Sequence, residues 1–144
     1  MSNQRNIIVI GGGAAGMIAA IAAAKEGCAV SLYEKNEKLG KKIFITGKGR
    51  CNVINAGDMD ELFAAVITNK KFMFSSFYGF TNEDMMQFLE DAGLRLKTER
   101  GKRVFPLSDH SSDVIAALER TLKKENVKVY LRKEVKGLNF ITCL

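Results

Sequence analysis

The sequence has no tryptophan, a single proline and a single histidine among its 144 residues. Because Pro106 is the only proline, no proline-rich linker divides the chain into separate domains. His110 stands alone, and the three cysteines form neither a CxxC pair nor a Cys/His cluster, which argues against a zinc site and against a disulfide framework. We therefore expect no bound metal and a reducing, cytoplasmic location.

Long apolar runs are also missing. The N-terminal apolar stretch is far too short to span a bilayer and lacks a secretory cleavage pattern, so no membrane association is expected. With 47% hydrophobic and 26% charged residues, the composition excludes disordered and collagen-like classes and fits one ordinary globular domain. The net charge of +6 suits a phosphate-rich cofactor, but it suits a solvated basic surface equally well.

The start of the chain carries the pattern of a βαβ unit. Residues 6–10 (NIIVI) are apolar throughout and predict a strand buried on both faces, as in a parallel sheet. An alanine-rich helix is predicted over Ala14–Glu26 and is ended by Gly27, and a second strand is predicted over Ala29–Glu34. Such a unit places its two strands parallel, which predicts an α/β fold of the Rossmann type.

The remainder of the chain predicts an excursion from the sheet followed by a return to it. Residues 58–126 are predicted to form a mainly helical insertion or crossover between the second and third strands of a single domain spanning 1–144. Helices are predicted at 58–67, 70–77, 81–92 and 111–125, a hairpin at 94–98 and 103–105, a third parallel strand at 127–131 and a further strand at 135–142. Phe63, Phe72, Phe74 and Phe77 are predicted to lie in the hydrophobic core rather than on a surface where bases stack.

Three glycines between the first strand and its helix, Gly11, Gly13 and Gly16, satisfy the GxGxxG pattern. Gly11 permits the tight turn, Gly13 lets a pyrophosphate approach the backbone, and Gly16 lets the helix pack closely on the strand. The N–H groups of the helix N-terminus, where Ala14 and Ala15 stand, then face the anion. The pattern predicts a dinucleotide site, because it follows a strand and opens a helix.

Glu34 ends the second strand, about 20 residues beyond the glycine turn. A carboxylate at that position suits hydrogen bonds from the hydroxyls of an adenosine ribose, and its charge disfavours a 2′-phosphate there. One alternative is that the turn is purely structural. Another is an S-adenosylmethionine-dependent methyltransferase, a class that also combines a glycine turn with an acid after the second strand.

A second motif follows in the loop EKNEKLGKKIFITGKGRCNVIN at 34–55. Together with the glycine turn, this loop resembles the start of a bacterial family of FAD-dependent oxidoreductases that includes aminoacetone-oxidase-like and bile-acid-reductase-like flavoproteins. The family's Gly-Gly-Arg-Cys-Asn-Val-Thr-Asn element corresponds to 47–55, with Ile54 in place of the threonine. The later RVFPLSDHSSDVIAAL at 103–118 also resembles the family, with Lys102 where glycine is usual.

The resemblance implies an FAD molecule extended across the sheet. Gly11–Gly16 would hold the pyrophosphate, and Glu34 with Lys35 the adenosine ribose. The other implied contacts are Gly40, Lys41 and Lys42 beside the phosphates, Gly47, Gly49, Arg50, Cys51 and Asn52 beside the ribityl chain and the isoalloxazine, and Val135 at the adenine. Arginine can bind an oxyanion bidentately, whereas the alternative for the lysines is a solvated basic loop. Cys51 is expected to be a small buried side chain rather than a redox centre.

The implied activity is that of a flavoprotein oxidoreductase in which hydride passes through FAD to or from a small organic substrate, with NAD(P)H as a candidate electron donor. No residue is a convincing catalytic acid or base, so the catalytic residues stay unassigned. The family's later segments are not found in this sequence, which predicts an incomplete domain, and a non-catalytic nucleotide-binding fragment is the alternative function. A small-molecule substrate is expected and nucleic acid is not, while the sequence leaves the oligomeric state open.

Overall fold

The computed structural model describes residues 4–45 and 49–139. In chain order its elements are β1 (Asn6–Ile10), α1 (Ala14–Lys25), β2 (Ala29–Tyr33), α2 (Lys41–Ile45), β3 (Ile54–Asn55), α3 (Met59–Ala64), α4 (Lys70–Gly79), α5 (Asn82–Asp91), β4 (Leu96–Glu99), β5 (Arg103–Pro106), α6 (Ser111–Lys124) and β6 (Lys128–Tyr130). The chain divides into two compact units, one comprising Met1–Ile43 with Leu118–Leu144 and the other Phe44–Ala117. None of the helices that the structure describes is long and apolar enough to cross a membrane.

The first unit contains a parallel sheet with the strand order β1-β2-β6. Tyr33 at the end of β2 lies opposite Ile10 of β1 and Tyr130 of β6, so the three strands end at the same edge of the sheet. Helix α1 packs against β1 and β2 and buries Met17 and Ile21. The predicted βαβ unit and the third parallel strand are confirmed. Residues that follow the strands are therefore brought together at one edge, where ligands bind in folds of this class.

Strand β1 departs from the expectation of two buried faces. Ile8 is 63% exposed and Ile10 is 53% exposed, whereas Leu32 of the central strand β2 is fully buried. The prediction was wrong for one face of the strand, because Asn6, Ile8 and Ile10 are exposed and alternate along β1, whereas Ile7 and Val9 on the other face are partly buried.

Three helices end in the same hydrogen-bonded motif. After α1, the N–H groups of Gly27 and Cys28 donate to carbonyls of the last turn at 2.9 and 3.2 Å, which is the bond pair of a Schellman cap. Gly93 closes α5 in the same way, and Asn126 closes α6 with a φ of 56°. The cap predicted at Gly27 is confirmed, Gly93 has the same role after α5, and asparagine replaces glycine after α6.

Substitutions at Asn126 test this cap. The Asn126→Gly variant is expected to be as stable as the wild type or about 0.5 kcal/mol more stable, because glycine adopts positive φ without a steric cost. The Asn126→Ala variant is expected to lose about 1 kcal/mol, because its Cβ is strained in the left-handed region. Urea unfolding of the three proteins measures both differences, and equal stability of the alanine and glycine variants would contradict the assignment.

The second unit contains an antiparallel sheet with the order β3-β5-β4. Strands β4 and β5 form the predicted hairpin, and its turn holds Gly101 and Lys102 at φ values of 77° and 58°. Lys102 thus adopts a conformation that favours glycine, which accounts for the glycine usual in the resembling family. The third strand, β3, was not predicted, because two residues leave no alternating pattern in a sequence.

Residues 58–126 contain the helices α3 to α6 together with the β4–β5 hairpin. Their assignment as an insertion between two strands of one domain stays a prediction. The helix predicted over 81–92 is present as α5 and opens with a capping box, in which the Thr81 hydroxyl accepts the N–H of Asp84 and the Asp84 carboxylate accepts the N–H of Thr81. A second capping box opens α3 with Asp58 and Glu61. No strand is present at 135–139, and the rest of the strand predicted there, 140–142, lies outside the described residues.

The prediction that all four phenylalanines of α3 and α4 lie in the core was wrong. Phe72 is 82% exposed and Phe74 is 55% exposed, while Phe63 and Phe77 are partly buried. Hydrophobic residues at helical spacing normally mark a buried face, but α4 has no buried residue.

Candidate functional site

The glycine turn lies between β1 and α1, at the carboxyl edge of the parallel sheet. The N–H of Gly11 donates to the carbonyl of Tyr33 at 2.8 Å, and the φ of Gly11 is 101°. A Cβ built at Gly16 would lie 1.8 Å from the carbonyl oxygen of Gly11, so a larger residue cannot enter without moving the backbone. A Cβ built at Gly13 would meet no atom of the described chain within 4 Å. The geometry therefore fits the separate roles expected of these three glycines.

Gly12, which is not one of the three glycines that the GxGxxG pattern requires, is fixed by two hydrogen bonds and close packing. Its N–H donates to Oε2 of Glu34 at 2.6 Å, and its carbonyl accepts the N–H of Gly40 at 2.8 Å. A Cβ at Gly12 would lie 2.2 Å from Cδ2 of Leu39 and 3.2 Å from Cβ of Glu34. We call these contacts of Gly12 with Glu34, Leu39 and Gly40 the glycine clasp. The sequence signal for it was the unbroken run of three glycines, of which the motif uses only two.

Glu34 is a buried carboxylate, 8% exposed, that accepts hydrogen bonds from the protein itself. Besides the bond from Gly12, its Oε1 accepts the backbone N–H of Asn36 at 2.8 Å and Nδ2 of Asn36 at 2.6 Å. Burial raises the pKa of the Glu34 carboxyl, but the hydrogen bonds from Asn36 and Gly12 outweigh burial and leave the pKa below its usual value. The group is therefore ionised at neutral pH and stabilises the turn.

The turn fits the pyrophosphate of a dinucleotide cofactor. Among the described residues, no side chain caps α1 at Gly13, and the first turn of α1 contains no acid. The free N–H groups of the first helical turn point along the axis beyond the helix N-terminus. A Cβ built at Gly13, the residue before the helix, would meet no atom of the described chain within 4 Å. Backbone donors, the positive end of the helix dipole and open space are what a phosphate needs.

The other predicted contacts of the first unit are more dispersed. Lys41 donates from Nζ to Oδ1 of Asn36 at 3.2 Å, and Gly40 belongs to the glycine clasp. Lys35 and Lys42 are exposed, and Val135 is partly buried in a segment without regular structure. Gly47, by contrast, lies outside the described residues. The role of each of these residues toward FAD stays a prediction.

In the second unit, Arg50 is already paired with carboxylates. Its Nη2 lies 2.5 Å from Oε1 of Glu99, and its Nε donates to Oδ1 of Asp109 at 2.9 Å. Lys97 adds a second cation, 2.6 Å from Oδ2 of Asp109, and the Arg50 guanidinium lies 4.3 Å from the centre of the Phe105 ring. Hydrogen bonds from Lys97 and Arg50 hold the pKa of Asp109 below its usual value. The carboxylates lie far from Arg50 in sequence, so its motif gave no sign of them.

Asn52 and Gly49 flank this ion network in the chain. With its amide oriented toward the neighbouring carbonyls, Asn52 donates from Nδ2 to Val104 and Ile54 at 3.1 Å each, which ties the loop to β3 and β5. Gly49 has a φ of 88°, which favours glycine. The assignment of Gly49, Arg50 and Asn52 to FAD stays a prediction.

Cys51 is a buried side chain, 8% exposed, as the sequence predicted. Burial raises the pKa of its thiol, which disfavours the reactive thiolate. Cys28 is a free, partly exposed cysteine that serves as an internal comparison.

Thiol labelling measures this difference. In a Cys143→Ser background, Cys51 is expected to react with iodoacetamide at least about tenfold more slowly than Cys28 at neutral pH, because the thiolate is scarce and shielded. Both cysteines should react alike in urea. Faster labelling of Cys51 than of Cys28 in the folded protein would contradict its inert role.

Across residues 4–45 and 49–139, no group of histidine, cysteine, aspartate or glutamate side chains could hold a metal ion. The candidate site is thus built from backbone N–H groups and one buried carboxylate. It is suited to binding a phosphorylated cofactor.

Comparisons with known proteins agree with this geometry. The family model described as HI0933-like protein Rossmann domain matches residues 5–142. A 3-dehydro-bile acid delta(4,6)-reductase from Clostridium scindens is 36% identical over 137 residues, which cover 94% of this chain and 33% of that protein. A ribosomal RNA dihydrouridine synthase from Haemophilus influenzae is 28% identical over 135 residues, which cover 94% of this chain and 33% of that protein. The chain thus spans about a third of the length of the curated relatives it matches.

A solved structure shows the same fold. The 3-ketosteroid-delta4-(5alpha)-dehydrogenase from Rhodococcus jostii RHA1 superposes with a TM-score of 0.65 at 15% sequence identity. The match covers 92% of this chain and 39% of that chain. At this identity the likeness concerns the fold.

The expectation that excluded nucleic acid as a partner was wrong. Relatives of this chain include enzymes whose names place their action on ribosomal RNA. The exclusion assumed that the phenylalanines were buried, and the exposure of Phe72 and Phe74 removes that assumption. RNA is therefore a partner class that this family includes.

The glycine turn, the strand-end acid and the parallel sheet agree with the match over residues 5–142. The chain belongs to the HI0933-like family and is an FAD-binding Rossmann domain of the kind found in flavoprotein oxidoreductases.

Proposed function

We propose that this chain holds FAD for the reduction of a carbon–carbon double bond conjugated with a carbonyl group. The observation that supports the proposal is the glycine clasp beside the open backbone at Gly13, because a turn fixed in this way would offer a pyrophosphate a preformed backbone surface at the end of the sheet. The reaction type is inferred from the relatives and deepens the hydride transfer expected from the sequence.

The names of two relatives describe one kind of chemistry. A delta(4,6)-reductase of a 3-dehydro-bile acid removes carbon–carbon unsaturation from a molecule with a ketone. A dihydrouridine synthase reduces the ring double bond of uridine, which is conjugated with a ring carbonyl. When bound and reduced, FAD supplies the hydride that adds to one alkene carbon, and a proton adds to the other. The shared chemistry supports this class of substrate more firmly than either compound alone.

The residues of the first unit would bind and orient the cofactor. The N–H groups at the start of α1 would bind the pyrophosphate, while Glu34 fixes the turn through Gly12 and accepts a ribose hydroxyl at the rim of the clasp. The negative charge of Glu34 disfavours a 2′-phosphate at this position. We propose that NADH or NADPH donates electrons from a separate site. We also propose that the protein works in the cytoplasm.

An absorption spectrum tests the cofactor part of the proposal. The purified chain, mixed with excess FAD and desalted, is expected to keep the visible flavin bands, and FMN, which lacks the adenosine and the pyrophosphate, is expected to wash away. Retention of neither flavin would contradict the assignment of the glycine turn. Equal retention of FAD and FMN would show that the glycine turn does not contribute to flavin binding.

Product analysis tests the reaction. The FAD-loaded chain is incubated without oxygen with NADH or NADPH and with either a 3-oxo-4-ene steroid or a uridine-containing oligonucleotide, and mass spectrometry records the gain of two hydrogens. Reduction of either substrate supports the proposal. Flavin bleaching by the donor without reduction of either substrate would favour the alternative of a non-catalytic nucleotide-binding fragment.

A further inference from the structure

Asn36 lies two residues after Glu34, and all of its polar groups take part in hydrogen bonds. Its backbone N–H and its Nδ2 both donate to Oε1 of Glu34, at 2.8 and 2.6 Å. Its Oδ1 accepts Nζ of Lys41 at 3.2 Å, and its carbonyl accepts the N–H of Arg132 at 2.9 Å. Asn36 therefore cannot change its backbone or its side-chain conformation without breaking hydrogen bonds.

The charges at its two ends determine the orientation of the Asn36 amide. The NH₂ group faces the Glu34 carboxylate, and the amide oxygen faces the ammonium group of Lys41. In the reverse orientation, two acceptors would meet at one end of the amide and two donors at the other. Asn36 is thus a double donor toward Glu34, once from its backbone and once from its side chain.

The Glu34 carboxylate has little capacity left for a ligand. An ionised carboxylate offers about four acceptor positions, two on each oxygen. The two donors of Asn36 occupy Oε1, and the N–H of Gly12 occupies one position of Oε2 at 2.6 Å. Burial raises the pKa of Glu34, but hydrogen bonds from Asn36, Gly12 and the Lys35 N–H leave the pKa below its usual value, so the group is ionised. At most one acceptor position, on Oε2, therefore remains.

We propose that Asn36 determines how Glu34 recognises the adenosine ribose, because by occupying Oε1 it limits Glu34 to one of the two ribose hydroxyls. A carboxylate with a free position on each oxygen could accept both hydroxyls of the diol. Asn36 acts through Glu34 and is in this sense a positioning residue. The inference rests on the proposed function and deepens it, because it concerns the adenosine end of the same FAD site.

Isothermal titration with three ligands tests the proposal. The ligands are FAD and two FAD analogues, in which 2′-deoxyadenosine or 3′-deoxyadenosine replaces adenosine. The wild type is expected to bind one analogue at least about tenfold more weakly than FAD, because that analogue lacks the hydroxyl that donates to the carboxylate. It is expected to bind the other analogue within about twofold of FAD.

The Asn36→Ala variant is expected to distinguish FAD from both analogues. Removal of the amide frees one position on Oε1, so the second hydroxyl gains an acceptor and each analogue should bind at least about fivefold more weakly than FAD. The three ligands are compared on the same protein, so any general loosening of the turn affects them alike. Asn139→Ala is the control, because Asn139 is exposed in a segment without regular structure, and it should behave like the wild type.

Equal weakening of both analogues in the wild type would overturn the inference, as would the wild-type pattern in Asn36→Ala. An NMR titration of the Glu34 carboxyl in the ligand-free proteins adds a measurement that needs no cofactor. Asn36→Ala is expected to raise the pKa of Glu34, because a donor to the carboxylate is lost, and an unchanged pKa would also overturn the inference. If the wild type did not bind FAD itself, the proposed function would fail, whereas a wrong pattern among ligands that do bind would refute the role of Asn36 alone.

Discussion

The Gly13→Ala variant is expected to unfold like the wild type and yet to lose FAD. The φ and ψ of Gly13 are −81° and −174°, which alanine adopts freely, and its Cβ would meet no atom of the described chain within 4 Å. The small cost of alanine before a helix is offset by the lower entropy of the unfolded chain, so we expect stability within about 0.5 kcal/mol of the wild type. The same Cβ would occupy the space that a pyrophosphate needs, and we expect FAD affinity to fall at least about a hundredfold.

Gly16→Ala is the matched variant, and unlike Gly13→Ala it is expected to destabilise the fold. Its Cβ would lie 1.8 Å from the carbonyl oxygen of Gly11, so helix and strand must separate. We expect a loss of about 3 kcal/mol of unfolding free energy or more, measured by urea denaturation without FAD. Isothermal titration with FAD completes the comparison. If Gly13→Ala bound FAD as the wild type does, the pyrophosphate would not approach this backbone and the site assignment would fail.

Glu34→Gln is expected to destabilise the protein at neutral pH by about 2 kcal/mol. The substitution keeps the size of the side chain but replaces an acceptor oxygen by an NH₂ group. Glu34 is 8% exposed and accepts N–H groups on both oxygens, from Gly12 and from Asn36, so glutamine must turn a donor toward another donor. Glu134→Gln is the control, since Glu134 is exposed in a segment without regular structure.

The effect of Glu34→Gln should depend on pH in a defined direction. Because the pKa of Glu34 is lowered in the folded protein, its contribution is fully present above the ordinary glutamate pKa of about 4.3. It is lost as the pH falls from that value through the lower pKa of the folded state. Urea unfolding at neutral pH and at a series of acidic pH values should show the difference between wild type and variant shrinking on acidification. A difference that stays constant with pH would show that Glu34 does not act through its charge.

The sequence predicted those parts of the candidate site whose residues lie close together in the chain. The turn, α1, β2 and Glu34 lie within one βαβ unit, so their spacing determines their geometry. The contacts of Leu39 and Gly40 with Gly12 were not predicted, because a loop sequence does not show which backbone groups its residues will contact. The sequence also predicted that Arg50 would bind an anion, but the partners in the structure are Glu99 and Asp109.

The phenylalanines of α4 show a different limit of sequence interpretation. Periodicity shows which residues share one side of a helix, but it does not show whether another element covers that side. Phe72 and Phe74 were therefore assigned to the core on statistics alone, although they are 82% and 55% exposed. Strand β1 illustrates the same point, because its apolar run does not show whether both faces of the strand are covered.

Both main-chain polar groups of Gly12 are hydrogen-bonded, because its N–H donates to Glu34 and its carbonyl accepts the N–H of Gly40. Its amide proton should therefore exchange with deuterium only when this part of the fold opens, whereas that of Gly13, at the uncapped start of α1, should exchange quickly. The glycine turn is then preformed before any ligand arrives. FAD would meet a surface that needs no rearrangement, so its association should follow a single exponential whose rate rises linearly with cofactor concentration.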